Sequence, residues 1–251
     1  MAGKFEAIGT LSLPDSMDSG GFPKYLDAAL QDLYRMQYGG IGMVLIENEG
    51  RAAKDRKAPE QTVELMDMVL REMVPSIHVP YLIAVLPCDY EASFDLAQQF
   101  NASGIWMDTL VDKASPLYTE SDVVIDLDPG EVVKNKGGLK LFTEVQARNF
   151  YQMLENRPLE ESVEQARKYA DAICVVGESG PPSLGLVKRA RGLVGEGYML
   201  GVAGKLNDAN INPYIGIADF GVFFSHLRRD GQYANPVSLT RVTELMQKVG
   251  N

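Results

Sequence analysis

Five carboxylates occupy the same kind of place in this sequence. Glu47, Asp89, Asp108, Glu144 and Glu178 each lie at or just after the end of a short apolar run. Carboxylates crowded into one cleft disfavour each other's charge. They must be relieved by protonation, by a metal ion or by cations such as Lys205, Arg148 and Arg228. Such a ring suits general acid–base chemistry or a divalent-metal site. Each also has an ordinary reading as a loop residue or helix cap, and Asp89 before Tyr90-Glu91-Ala92 has the N-cap pattern. His226 follows the last apolar run and can act as acid, base or ligand contact. His78, before Val79-Pro80, reads as structural. With two histidines and two cysteines, Cys88 and Cys174, no Cys/His zinc spacing exists, and both thiols sit in apolar runs as buried residues do.

These residues need a frame. Apolar, β-branched runs predict strands over Phe5–Leu13, Met43–Glu47, Tyr81–Leu86, Gly104–Asp108, Lys140–Val145, Ala172–Gly177, Met199–Ala203 and Gly221–Phe224. They are near-continuously apolar, as parallel strands covered on both faces are. Helical spacing of apolar residues marks Tyr25–Tyr38, Thr62–Met73, Phe94–Phe100, Leu159–Tyr169, Leu184–Leu193 and Leu239–Val249. Eight strands alternating with helices in 251 residues predict one α/β domain, a (β/α)8 TIM barrel. An open doubly wound sheet is the rival, but the first strand runs into Leu11-Ser12-Leu13-Pro14-Asp15 with no GxGxxG. Residues 112–138 are long for one connection and read as an elaborated fourth loop over the barrel mouth. In a TIM barrel the chemistry lies where the strands end at their C-termini, where the five carboxylates fall.

The net charge of −10 and pI near 4.8 argue against nucleic acid and anionic membrane surfaces as partners. With no long apolar span and no signal-peptide pattern at the N-terminus, a cytoplasmic protein is expected. A small-molecule substrate is expected, and barrels of this size often form homo-oligomers.

The chain resembles the BtpA/SgcQ family of ribulose-phosphate-binding-type barrels. Ile8-Gly9-Thr10-Leu11-Ser12-Leu13-Pro14 is similar to the family's opening strand. Gly39-Gly40-Ile41-Gly42-Met43-Val44-Leu45-Ile46-Glu47-Asn48-Glu49-Gly50 resembles its GG…EN-x-G motif. Ala218-Asp219-Phe220-Gly221 and Arg228-Arg229-Asp230-Gly231, followed by Asn235-Pro236-Val237, resemble its C-terminal pattern. The departures are Ser12 in place of a histidine, Ala203-Gly204-Lys205 in place of G-S-G and Phe224-Ser225 in place of G-T. The last two alter the turns that bind phosphate in such barrels.

The resemblance and the carboxylates together imply an enzyme acting on a ribosyl or sugar-phosphate-like small molecule, by glycosidic cleavage or transfer, or by isomerisation. Glu47, Glu144, Asp108 and Asp89 are the candidate catalytic residues. Asn48, Glu178, Gly204, Lys205, Ser225 and His226 are the candidate substrate contacts. No cofactor is required, although Mg2+ or another divalent cation held by Asp89, Asp108 and Glu144 would fit the pattern. The alternative is a non-catalytic assembly or regulatory factor that keeps the barrel as a scaffold, which predicts a closed or apolar-filled mouth.

Overall fold

The structure, a computed structural model, describes residues 5–17, 19–119 and 121–250. Eight parallel strands close into a barrel: β1 (Glu6–Leu13), β2 (Met43–Asn48), β3 (Tyr81–Ala84), β4 (Gly104–Met107), β5 (Lys140–Val145), β6 (Ala172–Val176), β7 (Met199–Ala203) and β8 (Phe220–Phe223). Each pairs with its sequence neighbour, and β8 closes on β1 through Glu6↔Phe220 to Gly9↔Phe223. The helices are α1 (Gly21–Tyr38), α2 (Glu60–Met73), α3 (Tyr90–Gln99), the single turn α4 (Pro129–Val132), α5 (Leu159–Tyr169), α6 (Leu184–Val194) and α7 (Leu239–Val249). Three helices start earlier than the apolar spacing predicts, α2 by two residues and α1 and α3 by four each. In α1 the first buried residue is Tyr25, so the preceding turn carries no periodic signal. In α3 the start is fixed by a capping carboxylate at Asp89.

Alternation along each strand splits the core into two shells. Ile8, Leu45, Leu82, Trp106, Phe142 and Phe220 belong to the cluster inside the barrel. Val44, Ile46, Ile83, Ile105, Leu141 and Ile173 belong to the cluster shared with helix residues such as Leu33, Val69 and Val163. Inside, the rings of Trp106, Phe142 and Phe220 meet at centroid distances of 5.7–6.4 Å. Each such pair contributes about 0.5–1.5 kcal/mol beyond burial. Gly201 makes room for this plug, because a Cβ there would lie 2.0 Å from the Phe220 ring.

Counting two residues up from the inner apolar layer gives Glu47 above Leu45, Asp108 above Trp106 and Glu144 above Phe142. The barrel therefore carries an apolar plug with carboxylates directly over it. The connection at 112–138 holds a strand over 114–116 that pairs antiparallel with 151–153, and Ala114 bridges Ile125. No described helix is long and apolar enough to cross a membrane.

Candidate active site

Over the plug lies a cavity of about 470 Å³ at the C-terminal mouth of the barrel. Glu47, Asp108 and Glu144 line it. Burial is the first cause of every shift among them. It lifts Glu47 well above the usual carboxylate range, with the Asp108 charge adding and Arg228 opposing. It lifts Glu144 likewise, with Asp108 and Glu47 adding. Asp108 is pushed up to about 6 by burial, even though Tyr151 and Trp106 both donate to it. Burial thus biases the carboxyls of the floor toward the protonated form, the state a general acid needs. Glu144 Oε2 is buried with no hydrogen-bond partner. An orphaned carboxyl oxygen inside a folded protein costs about 1–3 kcal/mol unless something else meets it.

The walls come largely from residues that sequence reasoning missed. Tyr118, Asn149 and Phe150 reach the cavity from beside the small antiparallel pair. Phe224 and Tyr233 form an edge-on aromatic pair with centroids 4.9 Å apart, and both line the cavity. The Arg51 guanidinium lies 5.5 Å over Tyr233, and that of Arg228 lies 4.9 Å over Phe224. Tyr233 also hydrogen-bonds Ser12 at 3.1 Å. Trp106 could have been found from the sequence, since it stands two residues before Asp108 on the same strand face. Phe224 stands at the end of the predicted last strand, and the others come from loops with no local signal.

Three residues expected at the site lie outside the cavity lining. Asp89 caps α3, accepting from Ala92 N–H and from Ala58 N–H at 3.2 Å each. Both oxygens are spent there and it does not line the cavity. The expected metal trio of Asp89, Asp108 and Glu144 is therefore not assembled. Among the described residues no three Asp, Glu, His or Cys side chains are grouped to hold a metal ion. His226 also lies outside the cavity lining. Its Nε2 is 3.4 Å from Asp208, and burial holds its pKa below the ordinary imidazole value. Arg148, expected as a neutralising cation, does not line the cavity either.

Asn48 touches the cavity but its amide is a brace. It donates to Asp15 at 3.0 Å and to Leu86 C=O at 3.2 Å, and accepts from Leu86 N–H at 2.5 Å. Asp15 in turn accepts from Gly50 and Arg51 N–H groups. The Glu-Asn-x-Gly run thus ties the ends of β1, β2 and β3 together and presents Glu47. Asn48→Ala would strand two buried backbone groups, at about 1–3 kcal/mol each. A melting-temperature loss of roughly 5–12 °C is expected for a chain of this size. A loss under 2 °C by calorimetry would show that the brace is dispensable.

The remaining expected contacts lie at the rim. Glu178, Gly204, Lys205 and Ser225 line the cavity, with Glu178 and Lys205 exposed. Here the Gly180 carbonyl oxygen packs onto two glycines. A Cβ would lie 1.9 Å from it at Gly177 and 2.8 Å from it at Gly204. The Gly177 N–H donates to Ala203 C=O. This turn therefore brings a carbonyl oxygen close against Gly177 and Gly204.

Comparison with known proteins agrees with this architecture. The chain is 28% identical over 234 residues to the sgc region protein SgcQ of Escherichia coli, covering 89% of this chain and 84% of that one. It superposes on N-(5'-phosphoribosyl)anthranilate isomerase from Pyrococcus furiosus with a TM-score of 0.58, at 11% identity and covering 98% and 99% of the two chains. Tryptophan synthase from Mycobacterium tuberculosis gives a TM-score of 0.64 at 12% identity, covering 98% and 93%. At such identities these two solved structures speak for the barrel alone. The BtpA family pattern matches residues 7–251, nearly the whole chain, and the protein belongs to the BtpA family.

Proposed function

We propose that the protein is an enzyme that cleaves or transfers the glycosidic bond of a ribosyl or sugar-like small molecule. The observation that carries this reading is the trio of inward carboxylates over the plug, one of them with an unpartnered oxygen. Glu144 is the general acid. Its proton goes to the leaving atom as the bond to the anomeric carbon breaks. Glu47, whose charge Arg228 favours, faces the positive character that develops at that carbon. It then takes a proton from the incoming water or acceptor hydroxyl as the new bond forms. Asp108, on the strand end between those of Glu47 and Glu144, orients a ligand hydroxyl. The aromatic rings of Trp106, Tyr118 and Phe224 supply flat apolar walls for a sugar face or a base. By analogy of fold alone, the isomerase and synthase on which the barrel superposes agree with an enzyme. The scaffold alternative requires a filled mouth, and the open cavity counts against it.

A thermal-shift panel of nucleosides, sugars, sugar phosphates and inorganic phosphate tests the reading. A riboside at a hundred times its Kd is expected to add about 2.7 kcal/mol, or roughly 5–10 °C. Inorganic phosphate alone is expected to give no shift, because the Gly180 carbonyl lies close against Gly177 and Gly204. A flat response to every riboside and sugar would overturn the proposal.

A further inference from the structure

Asp108 is joined to the cavity wall by a chain of two hydroxyls. Tyr151 OH lies 2.9 Å from Asp108 Oδ2, 3.1 Å from Pro87 C=O and 2.7 Å from Tyr118 OH. Trp106 Nε1 donates to the other oxygen, Oδ1, at 3.1 Å. Tyr151 is 1% exposed and does not line the cavity, whereas Tyr118 does. One phenol carries one proton, so its three partners cannot all receive it.

Two arrangements follow. With Asp108 ionised, Tyr151 donates to Oδ2 and Tyr118 donates to Tyr151. The Tyr118 proton is then turned inward, and its oxygen can only accept from a ligand. With Asp108 neutral, Oδ2–H donates to Tyr151 and the Tyr151 proton is free for Pro87 C=O or Tyr118. The Tyr118 proton is then available to the cavity. The neutral arrangement also satisfies the Pro87 carbonyl, which the ionised one leaves without this donor.

We propose that Tyr151 is a positioning residue that couples the proton on Asp108 to the direction of the Tyr118 hydroxyl, making Tyr118 a specificity determinant. A ligand group that accepts a hydrogen bond at Tyr118, such as a carbonyl or ring nitrogen, binds the form with neutral Asp108. A group that must donate there binds the ionised form. No net chemistry occurs: one proton leaves or joins Asp108 from solvent, and two hydroxyls rotate. The inference takes its functional meaning from the proposed acid–base site, but its test needs no substrate, so the two can fail separately.

The ionisable groups facing Asp108 come from several elements. They are Glu47 on β2, Glu144 on β5, Cys88 after β3, Cys174 on β6 and the two tyrosines, with Arg228 acting on Glu47. Replacing Asp108 isolates its own contribution. The chain has a single tryptophan, and it is Trp106. Its indole N–H reports directly on the carboxylate it touches.

The experiment is a fluorescence titration of the ligand-free protein from pH 4.5 to 9, read as the part of the transition that Asp108→Asn removes. Tyr151→Phe deletes a donor to the charged form and is expected to raise the midpoint by about one pH unit, a tenfold change in proton affinity. Tyr118→Phe, whose hydroxyl does not reach Asp108, is expected to raise it in the same direction by a smaller step. Near-ultraviolet circular dichroism confirms that the variants keep the fold. The proposal is overturned if Asp108→Asn removes no part of the transition, or if Tyr151→Phe leaves the midpoint in place. An unmoved midpoint in Tyr118→Phe also overturns it, because the coupling to the cavity would then be missing.

Discussion

Glu144→Gln is expected to lower turnover by about 10²–10⁴-fold, the usual contribution of a positioned general acid. The amide fills the same space but has no acidic proton for the leaving atom. Glu47→Gln is expected to lose a similar factor through the second half of the reaction. Rates are to be measured on the first riboside that shifts the melting curve. The split between kcat and KM is informative, because an acid that acts on the reacting bond lowers kcat and leaves KM nearly unchanged. A loss under fivefold in Glu144→Gln would remove it from the chemistry. The floor holds three carboxyls, so the double variant is expected to show far less than the product of the two single losses.

Stability is expected to fall, not rise, between pH 5 and pH 8. The folded-state carboxyls of Glu47, Asp108 and Glu144 lie above their ordinary values, chiefly through burial. A raised carboxyl contributes its full stability below the unfolded value, near 4, and loses it as pH climbs through the folded value. For Asp108 that window runs from about 4 to about 6. A two-unit shift corresponds to about 3 kcal/mol. Glu144 and Glu47 add to the loss in the same direction. Glu91 has the opposite sign, since Arg56 holds it down to about 2, so its contribution is lost only in acid. Denaturant melts at pH 5, 6.5 and 8 are the check. Wild type is expected to weaken steadily across this range, while Glu47→Gln/Glu144→Gln loses clearly less. Parallel curves for the two proteins would mean that these carboxyls are solvated and ordinary.

The barrel is legible in the sequence because each strand is buried on both faces. Tyr81–Ala84 and Ala172–Val176 are buried throughout, so apolar residues follow one another without a break. The carboxylates are legible because the fold places its chemistry at strand ends. Glu47, Asp108 and Glu144 also stand two residues beyond inward-facing Leu45, Trp106 and Phe142, a pattern that separates them from Asp89. Asp89 follows β3 by five residues, in the turn that opens α3, and its pattern was already that of a cap. Asn48 is adjacent to a site residue, yet neighbours on a strand point to opposite faces. His226 lies two residues past Phe224 in a 3-10 turn, where strand alternation no longer says which way a side chain points. The tyrosines were invisible for a different reason. Tyr118 and Tyr151 are 33 residues apart, and both lie outside the barrel strands in segments with no period to read.

The small antiparallel pair at 114–116 and 151–153 has a consequence for how this site can diversify. Its two arms leave the barrel on either side of β5 and carry Tyr118, Asn149, Phe150 and Tyr151, while the carboxylates ride on the barrel strands. In the proposed function, reactivity and ligand choice are thus housed in separate pieces of chain. The attachment points lie close together, so the arms can be exchanged, lengthened or rewritten while the acid groups keep their places. Descendants of one barrel can in this way inherit the same proton chemistry and apply it to differently shaped molecules.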